Sequence, residues 1–443
     1  MLFLRALLCA TAFYVVEQLH FPFEFTVRGL NVFNILFLLI WLTLLVRGIK
    51  NAESTPYKGA FYFLFVMLVW GFIVGFFNDD SSWVADLTEL KTSIFYLLLY
   101  MLYYRAVQDM RTLKIVLACL LVTAFLAQLE AVREGLDYGI GAYNETHRAS
   151  GPFGNDFWRA NSAAAFYVIF VPVAAVFMLA LKRGTLLKAA LAASVAVGVF
   201  GLFVTYSRQG YFILALIFLY MTLRRNPLIA VVLVVVLGSY QSWAPESVIQ
   251  RIDMTEQTEE ASGEQHFDQS TESRIVIWEG AWEMIQDHPL GVGLNHFQRN
   301  IGMYVPQYRG FDAHNNYIRM TAEASMLATV AMLAVVLCLF RLGWRVEHMD
   351  KSDTSRALGL GLQVAVLGVL LSNFYGSRFF DGDVMGNFWI LAALVARYRQ
   401  LRLQERAPQE QQAEAPWPGL RRLDASPVIT RPALPSPQRP ARP

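Results

Sequence analysis

The chain has 443 residues, of which 55% are hydrophobic and 16% are charged. Soluble domains average about 45–50% apolar and about 25% charged residues, so this composition indicates an integral membrane protein. The formal net charge of +2 excludes a nucleic-acid binder that relies on bulk positive charge. Cys9, Cys119 and Cys338 lie in separate apolar runs without paired spacing, which excludes a disulfide scaffold and a zinc ribbon.

Apolar segments recur along the chain. A membrane-spanning helix needs about 20 mostly apolar residues, because the hydrocarbon core is about 30 Å thick. On this criterion the sequence predicts an all-α fold, a polytopic membrane helix bundle with about 12 transmembrane helices. The predicted spans are residues 1–16, 30–46, 59–77, 94–104, 113–129, 160–181, 186–206, 210–223, 227–243, 317–340, 358–374 and 385–396.

Lysine and arginine are concentrated in alternate short loops, which indicates that these loops are cytoplasmic. This pattern places both termini in the cytoplasm and the two longest loops, residues 130–159 and 244–316, on the outer side. We expect a transmembrane domain over residues 1–406. Residues 407–443 hold 9 of the 17 prolines and predict a Pro-rich, disordered cytoplasmic tail.

The outer loop 244–316 is far longer than a connection requires, and loops above about 15 residues are usually functional or disordered. Residues 273–287 predict an amphipathic helix. Its expected apolar face consists of Ile275, Trp278, Ala281, Trp282 and Ile285. Such a helix would lie on the outer membrane surface or pack on the bundle.

Arg208 lies between two apolar segments with almost no loop around it. About 16 helical residues, or about 24 Å, separate it from the basic cytoplasmic flank, which is less than the thickness of the hydrocarbon core. Its guanidinium is therefore expected below the outer headgroups, facing the bundle or a wet cavity, where arginines tend to be functional. The alternative is an arginine that extends to the outer phosphates. Ser207 is a candidate N-cap for the helix that starts there.

Arg274 is expected in the first turn of the amphipathic helix, where the helix dipole disfavours a cation unless an anion also binds. Arg208 has the same predicted position in its own helix, so the two residues suggest a shared anionic ligand. The alternative for Arg274 is a simple ion pair with Glu272 or Glu279.

His314 stands just before the tenth predicted span, and an imidazole can accept a proton near neutral pH. The alternative is an interfacial histidine bonded to a backbone carbonyl. No two of the seven histidines have a metal-ligand spacing such as H-x-x-x-H, so we expect no metal in the site.

Three sequence motifs together resemble the signature of the O-antigen ligase superfamily, which includes O-antigen ligases, O-antigen polymerases and related oligosaccharyltransferases. The first runs from Arg274 through the His288-Pro289-Leu290-Gly291-Val292-Gly293 segment to His314-Asn315-Asn316-Tyr317 and Glu323. The second is Thr205-Tyr206-Ser207-Arg208-Gln209-Gly210, and the third is Arg148-Ala149-Ser150-Gly151-Pro152-Phe153-Gly154-Asn155. In the family pattern an Asn closely follows the third motif, and either Asn155 or Asn161 could take that position.

The resemblance implies glycan transfer at the periplasmic face of the bacterial inner membrane, by residues 1–406. The donor would be a glycan on undecaprenyl diphosphate, and the acceptor a sugar hydroxyl. Such a reaction needs cations for the leaving diphosphate and a base for the hydroxyl. Arg208 and Arg274 would bind the diphosphate, with Arg148 as a weaker third candidate, and His314 would be the base. The family implies an inverting displacement that needs no metal or other cofactor.

The first interpretation is an O-antigen ligase, which transfers the polymer to lipid A-core. The nearest alternative is an O-antigen polymerase, whose acceptor is a second lipid-linked glycan. A polysaccharide flippase or transporter would also suit about 12 spans, but its site should lie near the bilayer midplane at broken helices. In each case the partners are lipid-linked glycans and membrane lipids, and no nucleic acid is expected.

Overall fold

The structure is a computed structural model. The residues that it describes are 1–21, 31–48, 54–77, 82–139, 143–154, 156–182, 184–254, 256–258, 265–267 and 269–414. Two compact units are present, Met1–Arg399 and Gln400–Pro443. Of the second unit, only the end of a helix is described, and the rest of the predicted Pro-rich tail lies outside the described residues.

The described residues are helical apart from one small ribbon and the connecting turns, so the all-α prediction is confirmed. The helices are α1 Leu2–Glu17, α2 Val32–Val46, α3 Lys58–Phe76, α4 Trp83–Ala106, α5 Met110–Tyr138, α6 Ala160–Ala180, α7 Thr185–Val204, α8 Arg208–Arg225, α9 Pro227–Gly238, α10 Glu246–Asp253, α11 Gln269–Asp287, α12 Phe297–Tyr304, α13 Asn316–Ala324, α14 Met326–Glu347, α15 Asp353–Ser372 and α16 Gly382–Glu414. The ribbon pairs β1 (Glu256–Thr258) with β2 (Gln265–Phe267) in antiparallel register.

Six helices in the described part of the chain are long and apolar enough to cross a membrane: α3, α5, α6, α7, α14 and α15. Every predicted span has a helix at its position. Two of these helices, α2 and α9, are apolar but shorter than the six candidate membrane spans. The count of about 12 spans and the outer position of loop 244–316 therefore remain predictions.

The tenth span is not one helix, contrary to the prediction. The helix breaks at Ser325, which has a φ of 80°, and becomes the short α13 followed by the apolar α14. The carbonyls freed at this break accept backbone hydrogen bonds from Val292 (to Ala322, 2.8 Å) and Gly293 (to Glu323, 3.0 Å). The Gly291-Val292-Gly293 segment thus closes the end of α13.

The core of the bundle is centred on α6, whose residues from Ser162 to Phe177 are all buried. This helix packs between α7 and α15, and it approaches them closely where they carry glycine. A Cβ on Gly198 of α7 would lie 2.4 Å from Val171, and a Cβ on Gly368 of α15 would lie 3.0 Å from the Val168 carbonyl. A helix surrounded in this way is apolar on all sides and has no amphipathic stripe.

The buried face of α11 agrees with the prediction only in part: Ala281 is buried, and Trp278 and Ile285 pack against the buried cluster. Ile277, Ala281 and Met284 are buried against α12 and α13, whereas Ile275 and Trp282 of the predicted face are 39% and 62% exposed. The true stripe follows the i, i+4, i+7 spacing of a helix. The two tryptophans in the sequence favour a neighbouring stripe of similar hydrophobicity, and only the packing of α12 and α13 distinguishes the two.

Candidate functional site

Arg148 lies in the segment between α5 and α6 and is almost completely buried. Its Nε donates to the Thr205 carbonyl (3.0 Å), and its Nη2 donates to Asn161 Oδ1 (2.9 Å). The Ala149 amide also donates to the Val204 carbonyl. These bonds attach the Arg148 segment to the turn between α7 and α8. Asn161, one of the two asparagines left open by the sequence, is thus part of this site, while Asn155 lies outside the described residues.

Arg208 is the first residue of α8, as predicted. Ser207 takes the N-cap position of α8 as predicted, but its hydroxyl forms no cap hydrogen bond and donates instead to Asn161 Oδ1 (3.0 Å). Tyr206, before it, has a φ of 49°. This left-handed residue turns the chain sharply from α7 into α8, and the Ser207 contact brings this turn against Asn161 at the start of α6.

Arg251, on α10, is a third arginine that the sequence analysis missed. Its guanidinium stacks 4.5 Å from the centre of the Tyr143 ring, and its Nε lies 3.4 Å from the Tyr206 carbonyl. No motif marks it, because it stands in a long polar loop far in sequence from Arg148 and Arg208. The residues Arg148, Arg208, Arg251 and Tyr143 are called the arginine–tyrosine group below.

The charges of the arginine–tyrosine group act on one another. Burial lowers the pKa of Arg148 to about 10, and the nearby charge of Arg251 contributes to this decrease. Burial raises the pKa of Tyr143, while the charges of Arg251, Arg148 and Arg208 oppose the increase. The Tyr143 hydroxyl is buried and has no hydrogen-bond partner among the described residues. The carboxylate of Glu145 also acts on Tyr143 and Arg148, so three arginines face one acidic side chain here. An excess of positive charge beside an unpartnered hydroxyl is an arrangement that an anion would stabilise.

An apolar cavity of about 490 Å³ opens next to this group, between α7, α8, α9 and α10. Its lining is almost entirely aliphatic and aromatic, and Arg208 is its charged residue. The arrangement suits an amphiphilic molecule with an anionic head at Arg208 and an apolar chain in the cavity.

His314 is held in the turn before α13. Its backbone has a φ of 48°, and its amide donates to Asp312 Oδ2 (2.8 Å). Asn315 caps α13, because its side chain accepts from the amides of Tyr317 and Ile318. The indole of Trp278 on α11 donates to the Ala313 carbonyl (2.7 Å). Both neighbouring residues are thus fixed, and the imidazole remains 40% exposed.

Burial lowers the pKa of His314 below its ordinary value; Asp312 opposes this shift, and the charges of Arg274 and Arg378 strengthen it. Arg378 follows α15 and was not predicted. A lowered pKa keeps the imidazole neutral at physiological pH, which is the state that accepts a proton. The residues His314, Asp312, Arg274 and Arg378 are called the histidine group below.

Arg274 is close enough to His314 for its charge to act on the imidazole, but its predicted position in the first turn is wrong. The helix α11 begins at Gln269, so Arg274 is more than one turn inside, where the dipole of the helix end is weak.

The start of α6 connects the two groups. Asn161 binds Arg148, and two residues earlier Arg159 forms ion pairs with Asp383 and with Asp381 (3.9 Å). Asp381 in turn pairs with Arg378 of the histidine group (3.0 Å). Arg208 and Arg274 thus belong to two groups that are connected by this series of polar contacts.

A protein-family model described as O-antigen ligase matches residues 192–324 of the chain. The matched segment runs from within α7 to the end of α13, so it contains Arg208, Arg251, Arg274 and His314. No curated protein sequence matches the chain. Over residues 192–324 this helical membrane protein is thus similar to the O-antigen ligase superfamily, as its sequence motifs predicted.

Proposed function

We propose that this protein is an O-antigen ligase. It would transfer a glycan from undecaprenyl diphosphate to a sugar hydroxyl of lipid A-core, at the periplasmic face of the bacterial inner membrane. The observation that supports this proposal most directly is the arginine–tyrosine group beside the apolar cavity. A lipid-linked donor has an anionic head joined to a long apolar chain, and this arrangement can bind both parts.

In this proposal Arg208, Arg251 and Arg148 bind the diphosphate. Arginine suits this task, because its planar fork can make paired hydrogen bonds to phosphate oxygens and stays charged. The negative charge that grows on the leaving diphosphate is then neutralised in a site from which the lipid chain excludes water. Arg274 binds the same leaving group from the side of the histidine group.

His314 is the general base of the proposal. The acceptor hydroxyl must lose its proton as it attacks, and a neutral imidazole can take it. Its reduced pKa supports this role. Asp312 Oδ2 lies 3.8 Å from His314 Nδ1, so it can orient the ring and stabilise the imidazolium that forms.

The test is transfer by the purified full-length protein in lipid nanodiscs, with lipid-linked O-antigen as donor and lipid A-core as acceptor. We expect lipid A-core that carries the polymer, no transfer by His314→Ala, and normal transfer by His348→Ala. His348 is the matched control because it is an exposed histidine that directly follows α14, outside the motifs and outside residues 192–324. Absence of any transfer by correctly folded protein would overturn the proposal.

The molecule that receives the glycan distinguishes an O-antigen ligase from an O-antigen polymerase. If lipid A-core receives nothing while lipid-linked repeat units are joined to one another, the protein is an O-antigen polymerase. If the glycan only moves across the membrane without a new glycosidic bond, the protein is a transporter. Either result rejects the ligase assignment.

A further inference from the structure

Glu17, His20 and Glu130 converge away from the sites described above. Glu17 ends α1, His20 stands in the turn that follows, and Glu130 lies in the second half of α5. The His20 Nδ1 is 3.1 Å from a Glu130 oxygen and 3.9 Å from a Glu17 oxygen. One ligand atom from each residue lies within 4.8 Å of the other two.

An ordinary ion pair accounts poorly for this convergence. Both carboxylates approach the same ring nitrogen, and a protonated imidazole has only one hydrogen there to donate. The neighbouring arginine, Arg133, is 84% exposed at its side chain and pairs with Asp137 (3.9 Å), and its charge acts on Glu130 as well. Glu134 also faces this surface, and the local charge is therefore negative.

The distances fit a metal ion. Zinc binds imidazole nitrogen and carboxylate oxygen at about 2.0–2.2 Å in tetrahedral geometry, which places ligand atoms about 3.4 Å apart. The two distances from the His20 nitrogen, 3.1 Å and 3.9 Å, lie on either side of this value. One nitrogen and two oxygens leave a fourth position for water, and the mixed donor set favours Zn²⁺ over the harder Mg²⁺ and Ca²⁺. We propose that Glu17, His20 and Glu130 form a Zn²⁺ site that joins the end of α1 to α5.

The site has a structural consequence for the arginine–tyrosine group. One turn after Glu130, the carboxylate of Glu134 accepts the backbone amides of Ser150 (2.8 Å) and Gly151 (2.7 Å). These two residues follow Arg148 closely. A metal that fixes this part of α5 against α1 would thus hold the segment that carries Arg148, and it would act without touching the substrate.

The experiment measures zinc directly on the full-length protein. Purified protein is equilibrated with Zn²⁺, freed of excess ion, and its metal content and thermal midpoint are determined. We expect one zinc per chain and a higher Tm with Zn²⁺, and no comparable effect of Mg²⁺ or Ca²⁺ at the same concentration. Glu130→Gln and His20→Gln should each lower zinc affinity at least about tenfold, since each removes one of three protein ligands.

Asp137→Asn is the matched control, because Asp137 is an exposed carboxylate two turns along α5 from Glu130, and this variant should retain the zinc. Where a variant fails to fold, Co²⁺ bound to the wild-type protein gives a second measurement, and a tetrahedral absorption spectrum is expected. Less than a stoichiometric amount of zinc in the wild type, or full zinc binding by Glu130→Gln and His20→Gln, would overturn the proposal.

Discussion

The charges around His314 predict a pH dependence of transfer. The pKa of His314 is lowered, and a base acts only when it is unprotonated, so the acidic limb of the pH–rate profile should lie below the ordinary histidine value of about 6.5. Arg378 contributes to the lowering and Asp312 opposes it. Arg378→Gln should therefore move the limb to higher pH, and Asp312→Asn should move it to lower pH.

The measurement is kcat/KM for transfer between pH 5 and 8, with Arg309→Gln as control. Arg309 is an exposed arginine outside both groups, and its variant should leave the profile unchanged. Shifts in the same direction for Arg378→Gln and Asp312→Asn would contradict the assignment of His314 as the base, because the two variants remove charges of opposite sign.

Arg251 predicts a second effect at the residue scale. It contacts Tyr143 and acts on Arg148, so Arg251→Ala should weaken binding of the lipid-linked donor. A charge-assisted hydrogen bond contributes about 1.5–3 kcal/mol, which corresponds to about 10- to 150-fold in affinity. Donor affinity, measured directly in nanodiscs, should fall by this amount while His314→Ala retains donor binding.

A lysine at position 251 distinguishes the contribution of the positive charge from that of the planar guanidinium. Arg251→Lys keeps the charge but loses the planar fork and its stacking on Tyr143, so it should restore only part of the affinity. Donor affinity that is equal to that of the wild type in Arg251→Ala would remove this residue from the proposed site.

At the scale of elements, the contact between α3 and the glycine segment after α11 predicts a stability effect. Gly293 has a φ of 111°, and a Cβ there would lie 2.4 Å from the Cα of Gly75 on α3. Gly293→Ala thus combines backbone strain with a clash against backbone, which cannot move aside like a flexible side chain. We expect a large decrease in Tm and loss of transfer.

Two glycine variants serve as controls for this prediction. Gly310 has a φ of 85° but open space around it, so Gly310→Ala should lose only the conformational term, about 1 kcal/mol. Gly59 lies in the first turn of α3 with neither strain nor a close neighbour, so Gly59→Ala should not lower the Tm, because alanine is the better helix former. A Tm of Gly293→Ala equal to that of Gly310→Ala would show that α3 can move away.

For the whole molecule, the predicted membrane topology depends on whether α9 crosses the membrane. Its 12 residues extend about 18 Å, well short of a hydrocarbon core of about 30 Å. If α9 nevertheless crosses the membrane, the turn before α7 and the end of α11 lie on opposite sides. This arrangement is required for a cytoplasmic N-terminus and an outer active site.

Single cysteines test this topology in a background that lacks Cys9, Cys119 and Cys338. An impermeant maleimide applied to spheroplasts should label Asp287→Cys at the end of α11. Lys182 lies between α6 and α7 with an exposed side chain. The maleimide should label Lys182→Cys only after the membrane has been permeabilised. Equal labelling of both positions in sealed spheroplasts would place them on the same side and reject the prediction.

Several features of this protein follow from the sequence alone. Apolar runs of nearly bilayer length determine the helices, because unpaired backbone groups cannot be exposed to lipid. The start of α8 at Arg208 follows from the short polar interruption between two such runs. The similarity of residues 192–324 to the O-antigen ligase superfamily was readable from local motifs, because these motifs are contiguous in the chain.

Other features depend on the tertiary structure, because they arise from contacts between distant segments. Arg251 stacks on Tyr143, 108 positions earlier, and Glu17 meets Glu130 through the packing of α1 on α5. The break at Ser325 was invisible in an apolar run, since the carbonyls that it frees are bonded by Val292 and Gly293. The buried stripe of α11 was decided by α12 and α13. Periodicity reports how hydrophobic a face is, whereas burial and charge depend on which partners the fold brings against that face.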